Sequence, residues 1–135
     1  MTTIDKLRTL LTDLDGLLLL DEQNRRYATR LHTSAGAVYI TEQDAFFLTD
    51  FRYIEAARRA CAGFQVIEQK GRLTDQLRTL MAGAKRIGFE DATTTVGQYG
   101  RLAAALDVEF EPVSQKIMDL RSIKDGYELD CIRAA

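Results

Sequence analysis

The sequence has few of the residues that mark a disulfide-stabilised or membrane-embedded protein. Its 135 residues include two cysteines, one histidine, one proline and no tryptophan. Two cysteines cannot form a framework of several disulfides, and Cys61 is typical of a small buried side chain near the end of a helix. No apolar run approaches the roughly 20 residues that a membrane-spanning helix needs. Residues 1–16 lack the apolar region of a signal peptide, so we expect a soluble, cytoplasmic protein.

The sequence also lacks an excess of charge of either sign. It has 18 Lys and Arg residues against 20 Asp and Glu residues, which gives a formal net charge of -2. Such a balance argues against electrostatic binding of nucleic acid or of anionic membranes. Hydrophobic residues make up 46% of the chain, an ordinary level for a globular domain with one core.

Complete catalytic motifs are missing as well. There is no glycine-rich phosphate loop, GxSxG elbow, HExxH pair or CxxC pair. The single His32 cannot build a multi-histidine metal site, and Asp13 and Asp15 point in different directions on a predicted helix. His32 and Ser34 stand in one loop without an acid that would orient them as base and nucleophile. The chain alone is therefore predicted to catalyse no reaction and to hold no metal.

The spacing of apolar residues predicts helices that alternate with strands after an early hairpin. A first helix with apolar residues from Ile4 to Leu14 is expected to end at Gly16, and an irregular segment is expected over Arg25–Gly36. Further helices are predicted with an N-cap at Asp50, over Leu73–Met81, and with an inner face of Val96, Tyr99, Leu102 and Leu106. The predicted strands are Leu17–Leu20, Ala37–Thr41, Ala45–Thr49, Phe64–Glu68, Arg86–Glu90 and Val108–Val113. Pro112 indicates an edge or the end of a strand. The order predicts an α/β fold, a three-layer α/β/α arrangement with a mixed, largely parallel sheet.

One stretch of this net acidic chain concentrates cations. They are Arg25, Arg26, Arg30, His32 and Arg52. Guanidinium groups bind carboxylates through two parallel hydrogen bonds, so the stretch is consistent with a carboxylate-binding site. The small residues at 33–36 would allow a ligand or a partner chain to approach the backbone. An ordinary solvated loop has the same composition, and the residues alone leave both interpretations open.

The same stretch resembles a known family. NRRYATRLHTSAG, residues 24–36, followed by TDFRY, residues 49–53, is similar to the N-terminal domain of the pita-bread metallopeptidases: Xaa-Pro dipeptidases (prolidases), Xaa-Pro aminopeptidases and creatinases. That domain carries N-x-x-Y-L-T-G-F-x-G-S-x-G and then T-D-x-R-Y. The matching residues are Asn24, Tyr27, Thr29, Ser34, Gly36, Thr49, Asp50, Arg52 and Tyr53. Arg30, Leu31 and Thr33 depart from it, because the family has Gly, Phe and Gly at these places.

The resemblance implies a fold, a reaction and partners. The fold is the creatinase/prolidase N-terminal domain, which is ribonuclease H-like. The family's catalytic half holds two divalent metals, manganese, cobalt or zinc, and hydrolyses the bond before proline; its ligands would follow Ala135. The enzymes are homo-oligomers, usually dimers, in which the N-terminal domain helps to close the active site of a neighbouring subunit. Arg30, His32 and Arg52 are thus candidates to bind the substrate, a proline-containing peptide, whereas Asp50 and Tyr53 have a simpler role at a helix start.

The end of the chain resembles the junction between the two halves of these enzymes. LRSIKDGYELDCIRAA, residues 120–135, contains a Lys-Asp pair and the start of a helix with Asp125 as N-cap and Glu128 three residues later. We therefore expect an N-terminal domain over residues 1–120, and over 121–135 the start of a linker and of the first helix of a catalytic domain. Two alternatives remain open: the same domain of a creatinase-like amidinohydrolase, and a binding module that has lost catalysis.

Overall fold

The computed structural model describes residues 2–33, 35–61 and 63–122. These residues form six strands and six helices, which alternate along the chain except at one β-hairpin. The strands are β1 (Gly16–Leu19), β2 (Ala37–Thr41), β3 (Ala45–Thr49), β4 (Gln65–Glu68), β5 (Arg86–Phe89) and β6 (Glu109–Pro112). The helices are α1 (Thr3–Arg8), α2 (Glu22–Thr29), α3 (Ile54–Ala60), α4 (Leu73–Leu80), α5 (Val96–Ala105) and α6 (Ser114–Ser122). None of the helices in the described part of the chain could span a membrane.

The six strands form one mixed sheet in the order β4-β3-β2-β1-β5-β6. β2 is antiparallel to both of its neighbours, and the other pairs are parallel. This confirms the predicted mixed, largely parallel sheet and the early hairpin. β6, which contains Pro112, lies at an edge of the sheet, where a missing backbone N–H does least harm.

Two apolar cores cover the two faces of the sheet. One joins the sheet to α1, α2, α3 and α6, through residues such as Leu7, Ala28, Ala57 and Ile117. The other joins it to α4 and α5, through Leu77, Met81, Leu102 and Leu106. The strands of a sheet covered on both faces are apolar throughout, as in β1, where all four residues are buried. The three-layer prediction is therefore confirmed.

The first helix is shorter than the sequence predicts. α1 begins after Thr2, which forms a capping box with Asp5, and ends at Arg8. Leu11 and Leu14 still pack into the core, so their spacing reflects burial without a continuous helix. The carboxylate of Asp15 accepts hydrogen bonds from the backbone N–H groups of Lys85 (2.7 Å) and Arg86 (2.9 Å), which draws this segment towards β5. The prediction that Asp13 and Asp15 lie on a helix is wrong.

The irregular segment predicted over Arg25–Gly36 is wrong in its first part. Residues 22–29 form α2, capped by the carboxylate of Asp21, which accepts from the N–H groups of Gln23 and Asn24. The helix buries polar residues, namely Asn24, Arg25 and Thr29. The spacing of apolar residues therefore cannot reveal this helix.

Three smaller predictions also need correction. Asp50 does not cap α3: the N-cap is Tyr53, and the Asp50 carboxylate binds Arg52 in the preceding turn. In α5, Leu102 is buried as predicted, but Val96 is 91% exposed and Tyr99 is 41% exposed, because only the second half of the helix lies over the core. α6, which extends to Ser122, was not predicted, whereas the domain boundary expected at residue 120 stays a prediction. Asp125, Glu128 and the rest of the expected linker lie outside the described residues.

Candidate functional site

The candidate site lies where the parallel strands end. The carboxyl ends of β1, β3, β4, β5 and β6 lie together, because these five strands run in the same direction. We call this end of the strands the carboxyl edge, as distinct from the edge strands β4 and β6. β2 begins at the carboxyl edge, and its Ala37 pairs with Leu48 of β3. Gly36, the residue before β2, therefore lies beside Thr49, the last residue of β3, which leads into the turn 50–53. Ligands of open α/β sheets bind outside this edge.

Arg30 has an unusual backbone conformation. It ends α2 as the C-cap with φ of 62°, in the left-handed region, and its N–H donates to the carbonyl of Arg26. Glycine is the residue that favours this position. The conformation gives a physical reason for the Gly that the resembling family carries at this position. The Arg30 side chain lies over the ring of Tyr27 (5.5 Å to the centroid) and donates to the Thr3 hydroxyl at 3.2 Å.

Arg25 is a buried support of the loop and not a free cation. Only 4% of its surface is exposed. Its Nε donates to the carbonyl of Leu20 (3.1 Å) and its Nη1 to the hydroxyl of Thr33 (3.0 Å). Burial lowers the pKa of this guanidinium, while the neighbouring carboxylates of Glu22, Glu90 and Asp21 act in the opposite direction. Arg25, one of the five cations that the sequence groups together, therefore lies in the interior of the domain.

Gly36 allows the loop to enter β2. Its φ is +144°, which L side chains rarely adopt, and a Cβ atom there would stand 2.7 Å from the carbonyl oxygen of Leu48. The same Cβ would be 3.2 Å from the Phe47 ring and 3.5 Å from Nη1 of Arg25. A glycine is required because backbone and buried side chains occupy the space.

His32 and Arg52 are exposed and each has a nearby acidic partner. His32 Nε2 lies 3.2 Å from Glu22 Oε1, in the first turn of α2. Arg52 Nη2 lies 2.8 Å from Asp50 Oδ2, and its guanidinium is 5.3 Å from the Tyr53 ring centroid. The hydrogen bond from the Arg52 side chain lowers the pKa of Asp50. Arg30, His32 and Arg52 thus have separate partners: the Tyr27 ring and the Thr3 hydroxyl for Arg30, Glu22 for His32, and Asp50 for Arg52.

Three other motif residues, Tyr27, Thr29 and Thr49, are buried in the domain. Thr29 is buried; its hydroxyl donates to the carbonyl of Arg25 (2.8 Å) and accepts from the N–H of Leu31 (3.2 Å), which shapes the turn after α2. Tyr27 packs in the core that α1 and α2 share. Thr49 is also buried, and its hydroxyl has no hydrogen-bond partner among the described residues. Ser34 lies outside the described residues.

Sequence reasoning missed Glu90, a buried carboxylate at the same edge. It directly follows β5 and is 2% exposed. Its Oε1 accepts from the N–H groups of Leu20 (2.6 Å) and Asp21 (2.9 Å), and its Oε2 accepts from Nδ2 of Asn24 (2.8 Å). Burial raises the pKa of Glu90, although these hydrogen bonds oppose the shift. The signal in the sequence is the position of Glu90, the first of two adjacent acids, directly after the strand RIGF.

The metals that the family resemblance implies find no ligand set in the described part of the chain. Residues 2–33, 35–61 and 63–122 contain no group of three or more His, Cys, Asp or Glu side chains that could hold a metal ion. Glu90 is engaged by backbone N–H groups and an amide, all of which are donors. These residues do not fit a metal centre.

Comparison with known proteins agrees with the fold and the motif. Residues 4–123 match the Creatinase/Prolidase N-terminal domain family. The chain is 37% identical to the uncharacterized peptidase YqhT of Bacillus subtilis (strain 168), with 98% of the chain and 39% of that protein covered. Among solved structures it is similar to the Xaa-Pro dipeptidase from Bacillus anthracis, with a TM-score of 0.88, 34% identity, and coverage of 95% of this chain and 37% of that one.

A third relative has the length of the domain alone. It is the N-terminal domain of the cytoplasmic peptidase PepQ from Mycobacterium tuberculosis H37Rv, with a TM-score of 0.77, 28% identity, and coverage of 87% of this chain and 97% of that one. By contrast, the chain spans less than two fifths of the Bacillus relatives. The fold, the sequence motif and these matches together show that the chain belongs to the Creatinase/Prolidase N-terminal domain family.

Proposed function

We propose that this chain is the non-catalytic domain of a metal-dependent peptidase that cleaves the bond before proline. The observations that carry the proposal are the match of residues 4–123 to the Creatinase/Prolidase N-terminal domain and the similarity to a Xaa-Pro dipeptidase of which this chain covers only 37%. In this proposal, residues 121–135 lead to the catalytic half. Two divalent metals, manganese, cobalt or zinc, belong to that half, as the family resemblance implies.

The domain's own contribution is the loop Arg30–Gly36, which helps to close the active site of a neighbouring subunit in a homo-oligomer, such as a dimer. Three features support this role. Arg25 holds Thr33 in the middle of the loop from inside the fold, and Gly36 leads the loop into β2 at the carboxyl edge of the sheet. Arg30 and His32 are exposed basic side chains on that rigid support. A guanidinium held in this way suits the C-terminal carboxylate of a short peptide.

The proposal is tested by assaying Xaa-Pro dipeptide hydrolysis with manganese, for the 135-residue chain and for the longer protein that contains it. We expect hydrolysis by the longer protein, loss of it on adding a chelator, and none by the chain alone. Hydrolysis by the chain alone would place a catalytic centre in this domain and contradict the proposal. Creatine hydrolysis by the longer protein would instead favour a creatinase-like amidinohydrolase. Activity on neither substrate would favour a binding module.

A further inference from the structure

A chain of hydrogen bonds connects the buried end of β5 to the last turn of α6. Oε2 of Glu90 accepts from Nδ2 of Asn24 at 2.8 Å, and Oδ1 of Asn24 accepts from Nη1 of Arg121 at 3.1 Å. Nη2 of Arg121 also lies 3.5 Å from Oε1 of Gln23. Asn24 and Arg121, which the second of these bonds joins, are 97 positions apart in the sequence.

The order of the groups fixes the orientation of Asn24. An ionised carboxylate only accepts hydrogen bonds and a guanidinium only donates them, whereas an amide side chain does both. Glu90 therefore requires the NH₂ group of Asn24 on its side, and this leaves the amide oxygen for Arg121. If the amide were reversed, an oxygen would face the Glu90 carboxylate and NH₂ would face the guanidinium, so both contacts would be lost. Glu90 thus determines which atom of Asn24 faces Arg121, although Glu90 and Arg121 do not bind each other in this path.

We propose that Glu90, Asn24 and Arg121 form a relay that fixes the end of α6 to the start of α2, and that Asn24 and Arg121 are positioning residues. α2 carries the loop Arg30–Gly36 at its other end, and α6 is the last described element before residues 123–135. The relay therefore couples the position of the loop to the position of α6, which leads into residues 123–135. In the longer protein, where this step rests on the proposed function, the relay would set the loop's position relative to the catalytic half.

The relay is tested first in the 135-residue chain, by amide hydrogen exchange in the last turn of α6, residues 119–122. Glu90→Gln keeps the size of the side chain but presents a second NH₂ group to Asn24. We expect exchange of these amides to rise about tenfold, as in Arg121→Met. The matched control is Glu111→Gln, which removes a carboxylate that pairs with Arg86 and lies outside the relay. Arg121→Lys, which can still donate to Asn24, should restore most of the protection.

A folded Glu90→Gln variant whose α6 amides exchange as in the wild type would overturn the relay. The same holds if Glu111→Gln raises exchange equally. If Glu90→Gln fails to fold, Asn24→Ala must raise α6 exchange as Arg121→Met does, and an unchanged rate would again overturn the relay.

The second readout is the KM of the longer protein for a Xaa-Pro dipeptide. Arg121→Met should raise it about fivefold with kcat within about twofold, and Arg121→Lys should recover most of the change. An unchanged KM beside altered exchange would reduce the relay to a structural contact and overturn the positioning role. A wild-type longer protein without Xaa-Pro hydrolysis would refute the proposed function, whereas the exchange experiment would still decide the relay.

Discussion

The Nη1 atom of Arg25 donates to the hydroxyl of Thr33 across 3.0 Å, and in this way a buried cation of α2 holds the loop that precedes β2. The same side chain binds the carbonyl of Leu20 at the end of β1. Arg25 therefore joins three segments at the carboxyl edge of the sheet. A charge that is withdrawn from water must keep such partners, because an unpaired buried polar group is costly.

Arg25→Met should destabilise the chain by about 2–4 kcal/mol, since it leaves the Leu20 carbonyl and the Thr33 hydroxyl without their donor. The measurement is the free energy of unfolding from urea denaturation. Arg26→Met is the matched control, because Arg26 is the adjacent, exposed arginine of α2, and it should cost less than about 0.5 kcal/mol. Equal losses in the two variants would contradict the structural role of Arg25.

Gly36→Ala should destabilise the chain by about 2–4 kcal/mol. The methyl group would meet the Leu48 carbonyl oxygen at 2.7 Å, and alanine is strained at φ of +144°. Gly100→Ala is the control, because Gly100 lies in α5 with no atom within 4 Å of its Cβ position. That change should stabilise the chain by about 0.5–1 kcal/mol. Thermal unfolding of both variants would show shifts of opposite sign, and a stable Gly36→Ala variant would contradict the geometry.

The sequence was sufficient for the parts of the fold that depend on apolar periodicity. The hairpin Ala37–Thr41 and Ala45–Thr49 has the predicted bounds, because both strands are short apolar runs separated by polar residues. α2 was missed because its buried residues are polar and are satisfied by distant partners, such as the amide of Asn24 bound to Glu90. Such pairing is a tertiary property that no local pattern contains.

In the candidate site too, the sequence identified residues whose roles only the tertiary contacts show. The motif residues Asn24, Thr29 and Gly36 were found from their resemblance to a family, but their roles follow only from the structure: Asn24 donates to Glu90, Thr29 shapes the turn after α2, and Gly36 allows close packing. Arg25 has the same residue type as Arg26 and Arg30, yet it is interior while they are exposed, and composition cannot distinguish the three. The substrate roles of Arg30, His32 and Arg52 stay predictions.

Arg30→Gly separates stability from substrate binding. Glycine relieves the left-handed backbone at φ of 62° and should stabilise the domain by up to about 1 kcal/mol, offset in part by the lost contact with the Tyr27 ring. If Arg30 binds the substrate carboxylate, the same change should raise the KM of the longer protein for Xaa-Pro dipeptides about fivefold to tenfold. Arg26→Ala, which removes a neighbouring exposed charge, should leave that KM within about twofold. An unchanged KM for Arg30→Gly or Arg30→Ala would exclude Arg30 from substrate binding.

Glu90 and Asp15 should affect stability with opposite dependence on pH. The pKa of Glu90 is raised by burial, so its carboxyl group binds a proton more readily in the folded chain than in the unfolded chain. As pH rises from the unfolded pKa through the folded pKa of Glu90, this group therefore makes folding less favourable. The pKa of Asp15 is lowered by the backbone N–H groups of Arg86 and Lys85, so its contribution is present above the unfolded pKa and is lost as pH falls through the folded pKa.

The comparison uses urea denaturation of the wild type, Glu90→Gln and Asp15→Asn from acidic to neutral pH. The stability of the wild type relative to Glu90→Gln should decline as pH rises, because only the wild type must ionise a buried carboxyl group. Its stability relative to Asp15→Asn should increase over the acidic range, because the Asp15 carboxylate gains its two N–H donors only in the folded chain. Parallel curves for the wild type and Glu90→Gln would show that the environment of Glu90 leaves its ionisation unchanged on folding, and would contradict the burial of its charge.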